Sequence, residues 1–356
     1  MNRNTLFVLL LGLLPLATAW GQPAPFVPAR DPQVVAFSPS GTLVATGVSG
    51  LSDGQFPPRP HPDVRKCGAV FLWDAATGKR IKRMETYGDL TQLQFSPDGQ
   101  LLAAARLFAT HDGLQLNEVR IWNVASGQLV RGLDRCHAFS FSADGTEIAV
   151  ASRKKCAVFD VATWEREVVF EPLGGAVSIA FTKDALFGIV KTDKGFVLRK
   201  CDKQSRQLVR ESQAIPQPFY RLVISPSQDV LATGHQGQVI LWNLTTLEPL
   251  AQLPTKEPGI AHPFFSPDKT LLAAGCQTNG DTIIWDLASR QEIRRFTLEK
   301  GTFRPFIARA EDETLRPESD PQRFVFAPDS KGYLTGAYGG ILRQVSDGRD
   351  IARYGE

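Results

Sequence analysis

The feature that most constrains this chain is a phrase that it repeats seven times. A short apolar strand ends on an aromatic or aliphatic residue and runs into Ser-Pro-Asp-Gly or a relative. The first copies are Phe37-Ser38-Pro39-Ser40-Gly41, Phe95-Ser96-Pro97-Asp98-Gly99 and Phe141-Ser142-Ala143-Asp144-Gly145. Phe181-Thr182-Lys183-Asp184, Ile224-Ser225-Pro226, Phe265-Ser266-Pro267-Asp268 and Phe326-Ala327-Pro328-Asp329 complete the set. This is turn chemistry: Pro fits the second position of a type I turn, Asp bonds local backbone, and Gly accepts the last position.

A second phrase follows each first one. Alternating apolar residues lead to a large aromatic, an acidic or amide residue, and a small polar turn. Val70-Phe71-Leu72-Trp73-Asp74 runs into Thr77-Gly78, and Val119-Arg120-Ile121-Trp122-Asn123 into Ser126-Gly127. The phrase recurs at Phe159-Asp160, Cys201-Asp202, Trp242-Asn243 and Trp285-Asp286, while the last copy, at Arg343-Gln344, keeps only the Asp347-Gly348 turn. The period is roughly 40 residues, the range of propeller blades. Period-2 alternation and turn clusters dominate, with no helical periodicity. The expected fold is an all-β, seven-bladed β-propeller over residues 34–356, with four antiparallel strands, a to d, in each blade. One blade cannot bury its own faces. Trp73, Trp122, Phe159, Trp242 and Trp285 are the expected inter-blade residues, each covering the flat face of the next blade.

These phrases resemble the WD-repeat family, whose blades carry a Trp-Asp pair at the end of strand c. Such propellers serve many unrelated roles, so the resemblance implies a fold and not an activity. The family often places Gly-His before strand a and joins that His to a strand-b Ser or Thr and the Trp in a buried hydrogen-bonded set. Here no Gly-His precedes a strand a, and Gly234-His235 follows a strand b instead. The expectation is that the set is missing and that blades pack by apolar contact alone.

At the N-terminus, Arg3, the apolar run Leu6 to Leu16, and Ala17-Thr18-Ala19 read as a secretory signal over residues 1–19. No Cys follows the run to take a lipid, and no later stretch is apolar enough to span a bilayer. A Pro-rich linker, 20–33, precedes the first blade. The expected location is the periplasm or the exterior. A net charge of +3 is too small for a nucleic-acid partner. The scattered cysteines, Cys67, Cys136, Cys156, Cys201 and Cys276, form no zinc pattern. Export would permit one or two bridges among them, with connectivity open.

No catalytic motif is present: there is no Gly-x-Ser-x-Gly, His-Glu-x-x-His or phosphate loop. The connections say more. Antiparallel order sends the b–c and d–a connections to one face of the ring. The three long ones, Ser49 to Lys66, Leu107 to Asn117 and Lys300 to Gln322, all lie there, on blades 1, 2 and 7, which adjoin once the ring closes. Long connections in compact domains are either functional or tolerated insertions. Aromatic and Arg residues in them suit a protein-binding patch: Phe56, Arg59, His61, Phe108, His111, Phe303, Arg304, Phe306 and Arg309. His61, His111 and His137 with Asp63 or Asp112 could in principle hold a metal. Solvated loop histidines are the favoured reading for all five, His235 and His262 included, and no metal or cofactor is expected.

The expected function is therefore a cell-envelope interaction or scaffold module that binds a protein or peptide through this face. The alternatives are a propeller hydrolase or lyase, or a glycan or small-ligand binder using Phe56, Phe108 and Phe303, at the channel mouth of the same face. Residues 347–354 match the c–d turn and strand d of blade 1, so every blade is expected to be built from consecutive strands. Blades 7 and 1 would then meet without a shared strand, at a weaker seam.

Overall fold

The structure is a computed structural model. It describes residues 34–51, 67–109, 115–164, 167–256, 261–276, 281–296, 324–335, 341–347 and 349–354. Seven four-stranded antiparallel sheets form a ring. Blade 1 is β1 (Val34–Phe37), β2 (Leu43–Leu51), β3 (Cys67–Asp74) and β4 (Arg80–Tyr87). Blade 2 is β5 (Asp89–Phe95), β6 (Leu101–Ala109), β7 (Gln115–Asn123) and β8 (Leu129–Asp134). Blade 3 is β9 (Cys136–Phe141), β10 (Glu147–Ser152), β11 (Cys156–Asp160) and β12 (Glu167–Phe170). Blade 4 is β13 (Ser178–Phe181), β14 (Ala185–Thr192), β15 (Gly195–Asp202) and β16 (Leu208–Glu211). Blade 5 is β17 (Phe219–Ile224), β18 (Val230–His235), β19 (Gln238–Asn243) and β20 (Pro249–Pro254). Blade 6 is β21 (Ala261–Phe265), β22 (Leu271–Cys276), β23 (Thr282–Asp286) and β24 (Glu292–Phe296). Blade 7 is β25 (Phe324–Phe326), β26 (Gly332–Thr335), β27 (Ile341–Gln344) and β28 (Asp350–Arg353). Strands pair in chain order within every blade, as the sequence implies. The signal and linker readings, 1–33, lie outside the described residues.

The two repeated phrases are the two turns at one end of each blade. In the a–b turn, Ser142 Oγ donates to Asp144 at 2.6 Å and accepts from Glu147 N at 2.9 Å. Gly41, Gly99 and Gly145 each take φ +73° there, the left-handed region that only glycine enters without penalty. Gln228, Lys269 and Ser330 hold the same region in blades 5, 6 and 7. In the c–d turn, the residue after the aromatic caps the backbone. Asp74 Oδ1 accepts Thr77 N at 2.8 Å, and Asn123 Oδ1 accepts Ser126 N at 2.8 Å. This local bonding explains why either Asp or Asn serves at that position.

One apolar cluster fills each of the seven seams, and the strand-c aromatic points backward. Trp122 of blade 2 packs with Val70, Leu72 and Met84 of blade 1. Trp242 of blade 5 packs with Phe187 and Leu198 of blade 4, and Trp285 of blade 6 with Val239 and Leu241 of blade 5. Trp73 packs with Leu334 and Leu342 of blade 7, and Phe159 lies against the cluster between blades 2 and 3. The aromatic thus covers the preceding blade and not the next one. Strand d supplies the forward contact. Val70 pairs with Met84, Val119 with Leu133, Cys156 with Phe170, Val239 with Leu253 and Thr282 with Phe296. Each of these strand-d residues enters or packs against the seam ahead. A residue three places before the strand-c aromatic therefore marks, across the ladder, the forward anchor.

Blade 4 departs from both rules. Cys201 stands where blades 1, 2, 3, 5 and 6 carry an aromatic, and Ser212 takes the forward-anchor place, its Oγ accepting Leu198 N at 2.9 Å. The seam behind blade 4 is filled by Leu173 and Ala176, from a single 3-10 turn (Glu171–Leu173) and the segment after it. Both press on Gly188, where a Cβ would lie 2.9 Å from Leu173 and 3.2 Å from Ala176. An indole on strand c would compete for that space.

The expected absence of a buried Trp-centred set is overturned in two blades. Trp73 Nε1 donates to Thr46 Oγ1 at 2.8 Å in blade 1, and Trp242 Nε1 to Thr233 Oγ1 at 2.7 Å in blade 5. His235 Nε2 lies 2.8 Å from the same Thr233 oxygen. The histidine sits at the end of strand b rather than before strand a, and it completes the chain from there. Trp122 and Trp285 face Ala104 and Ala274 at the threonine's register position, so those blades do rest on apolar contact.

Candidate functional site

Strand a begins, and strand b ends, at the face from which the b–c and d–a connections leave. Blades 1 and 2 are built up on this side. β2 and β6 are nine residues long, against six for β10, β18 and β22. The sequence reading of open loops is corrected here at both flanks. Ser49 and Leu51 pair with Gly68 and Cys67. Leu107, Phe108 and Ala109 pair with Asn117, Leu116 and Gln115, so Phe108 is a strand residue. Phe56, Arg59, His61, His111, Phe303, Arg304, Phe306 and Arg309, with Asp63 and Asp112, lie outside the described residues.

The blade 2 hairpin rises from a buried charged cluster that the sequence reading missed. Arg106 and Glu118 are cross-strand partners on β6 and β7, and their side chains form a buried ion pair. Arg106 Nη1 donates to Tyr87 O at 3.0 Å, and its guanidinium lies 3.3 Å from the Tyr87 ring centre. Arg120 approaches from outside, its Nε 3.2 Å from Glu118 Oε1 and its guanidinium 4.8 Å from the same ring. Burial, with the Arg120 charge added, pulls Arg106 below the usual guanidinium range. Tyr87 ends blade 1, so the cluster ties blade 1 to the base of the blade 2 hairpin. The available signal was one charge, Arg106, set in the otherwise apolar run of β6.

Below this rim, inner strands are stitched by side chains. Gln92 Nε2 donates to Phe139 O at 2.8 Å, Ser140 Oγ accepts Phe181 N at 3.3 Å, and Ser178 Oγ accepts Leu222 N at 3.2 Å. Each bond joins one blade's strand a to the next. The Arg221 guanidinium lies 4.9 Å from the Phe264 ring, continuing the series to blade 6.

The three described histidines are not solvated loop residues, which corrects the sequence reading. His137, His235 and His262 are buried strand residues on this side of the ring. His137 Nε2 donates to Ala176 O at 2.9 Å, across the seam to the chain entering blade 4. His235 stacks on Phe219 at 4.9 Å, and burial lowers its pKa to about 4. Among the described residues, no group of three His, Cys, Asp or Glu side chains is placed to hold a metal. Cys136, Cys156, Cys201 and Cys276 are buried and none is in a disulfide; burial pushes Cys201 up to about 11, far from the reactive thiolate form.

A cavity of about 670 Å³ opens on the opposite face, between blades 3 and 4. It lies at the seam where strand c has a thiol in place of an aromatic. Among the described residues that line it, Val158 and Phe170 are the apolar ones.

No family model matches the chain, and no curated protein matches it. The seven-bladed architecture is consistent with a WD-repeat-like propeller. Among the described residues no helix is long and apolar enough to cross a membrane.

Proposed function

We propose that this protein is an exported interaction module that holds a protein or peptide of the cell envelope on the face of its b–c and d–a connections. A propeller is compatible with such a scaffold role. The observation that carries the reading is the Arg106–Glu118–Tyr87 cluster under the blade 2 hairpin. A buried ion pair is a poor source of stability, but it holds a projecting element in one orientation. The hairpin of adjoining blade 1 is lengthened in the same direction. A rigid rim bearing two neighbouring projections, with strand a of blade 7 beginning on the same face at Phe324, suits a partner that spans blades 7, 1 and 2.

The test replaces residues 53–65 and 111–113, separately and together, by short Gly-Asn turns. Photo-crosslinking groups are placed at Arg120 on this face and at Lys79 on the other. Envelope partners crosslinked from Arg120 should disappear in the double replacement, with melting unchanged. Equal crosslinking after replacement, or partners captured only from Lys79, would refute the reading. N-terminal sequencing of the native protein should find a mature chain beginning at or just after Trp20; a chain starting at Met1 would remove the exported part of the proposal.

A further inference from the structure

We propose that the cavity between blades 3 and 4 is a binding site for a short neutral oligosaccharide. It lies on the a–b and c–d turn face, away from the face discussed above, and its argument is independent of that reading.

The cavity has two unlike walls. Blade 3 contributes the flat side of strands b, c and d, with Val158 and Phe170 as floor and Glu147 and Asp160 at the edge. Blade 4 contributes its two turns, which carry Asp184, Asp202 and the cations Lys183, Lys203 and Arg206. At about 670 Å³ the space lies within the range of roughly 300–1,000 Å³ typical of small-ligand sites. Such sites are usually apolar with a few polar groups; here the proportion is inverted, so the ligand must be polar.

Its charge follows from the lining. Four carboxylates, Glu147, Asp160, Asp184 and Asp202, stand against three cations, Lys183, Lys203 and Arg206, among the described lining residues, and Lys203 Nζ already meets Glu147 Oε2 at 2.5 Å. A polyanion would meet Asp160, Asp184 and Asp202; a polycation would meet Lys183 and Arg206. Ionised carboxylates only accept hydrogen bonds, and Lys and Arg only donate. A hydroxyl does both, so neighbouring hydroxyls on a sugar ring can bridge a carboxylate to an adjacent cation without adding charge. The two turn aspartates are held for this task. Asp160 Oδ1 accepts Thr163 N at 2.8 Å, and Asp202 Oδ1 accepts Ser205 N at 2.7 Å. Those bonds fix each carboxylate plane and hold both groups below the ordinary carboxylate range. Oδ2 is then the atom through which each would meet a ligand.

The turns also supply clean variants. Asn123 and Asn243 cap the equivalent turns of blades 2 and 5, so Asp160→Asn and Asp202→Asn keep the local fold and remove the charge. Arg206 occupies the left-handed region at φ +62°, which Gln228 also holds at φ +56°, so Arg206→Gln is similarly tolerated. The mature chain is titrated by calorimetry and saturation-transfer NMR with gluco-, manno- and chito-oligosaccharides and with one acidic and one basic peptide. At least one saccharide should saturate, neither peptide should, and the Asp160→Asn/Asp202→Asn pair should weaken binding at least tenfold at unchanged melting temperature. If that pair melts early, Arg206→Gln carries the test, with a similar loss expected. Failure of every saccharide to saturate at millimolar concentration, binding of a peptide in their place, or saccharide binding indifferent to these substitutions would overturn the assignment.

Discussion

At the scale of single residues, the seams are held by side chains whose neighbours decide how each bonds. Trp122 is almost fully buried among blade 1 and blade 2 apolar groups and faces Ala104, so its contribution is packing. Trp122→Ala should cost about 3–5 kcal/mol, read by chemical denaturation; a change under about 1 kcal/mol would place the indole in solvent. Trp242 differs because Thr233 Oγ1 accepts its Nε1–H and also lies 2.8 Å from His235 Nε2. Burial disfavours the charged imidazole and lowers His235 to about 4, against about 6.5 in an unfolded chain. Between those two values the unfolded state binds the proton and the folded state does not. Stability is therefore complete above about pH 6.5 and falls as pH drops toward 4, by about 3 kcal/mol in full. Denaturation midpoints across that window should fall in the native protein and flatten in His235→Gln; parallel curves would show that His235 titrates alike in both states. The aromatic positions were legible because the Trp-Asp phrase announces them. Their direction was not, since period-2 alternation shows that a side chain leaves the sheet but not toward which neighbour. Thr46 and Thr233 were hidden in small-apolar runs, where a threonine looks like one more small residue.

At the scale of elements, the turns were the most legible part, because their chemistry is local. Ser, Asp and Gly bond within five residues of one another, and the structure places them as the sequence implies. Strand ends were less legible. Leu107 to Asn117 reads as an insertion, yet its flanks continue the ladder, because Phe108 and Leu116 can pair only if the hairpin extends past the point where the other blades turn. Charge inside that ladder also went unread: a lone Arg106 suggests a solvated edge, and only Glu118 directly across the ladder makes it an interior group. Removing one partner leaves the other buried and uncompensated. Glu118→Ala should therefore destabilise by about 3–5 kcal/mol, whereas Arg106→Met with Glu118→Leu should be near neutral. Urea denaturation of the single and double variants distinguishes this from a solvated pair, for which both changes would be small. If the cluster orients the binding rim, the double variant should stay folded and lose its crosslinked partners.

At the scale of the whole molecule, the question is how a ring of consecutive blades closes without a shared strand. The sequence pointed to this arrangement through the match of residues 347–354 to blade 1, and blade 7 is indeed complete in itself. The expectation of a weak junction needs a physical qualification. Tyr354 occupies the forward-anchor place held elsewhere by Met84, Leu133 or Phe170; it is fully buried, joins the Trp73 cluster and donates its hydroxyl to Ala75 O at 2.8 Å. Burial drives its pKa well above the ordinary tyrosine range, which keeps that donor protonated. The Tyr354 side chain thus crosses the seam into the c–d turn of blade 1. Against it stand the short strands of blade 7, three or four residues each, with few ladder bonds to lose on opening. Local opening free energy follows such bonds and contacts, so amide exchange should show blade 7 opening at lower free energy than blades 3 to 5. Tyr354→Phe should lower the opening energy of blades 7 and 1 by about 0.5–1.5 kcal/mol through the lost hydrogen bond. Truncation after Arg353 should lower it by several times that, while blade 4 keeps its exchange rates. If truncation slowed nothing and sped nothing at this seam, closure would rest on the Trp73 packing alone. A uniform rise in exchange around the ring would instead make the propeller one cooperative unit, with Tyr354 acting on all seven blades at once.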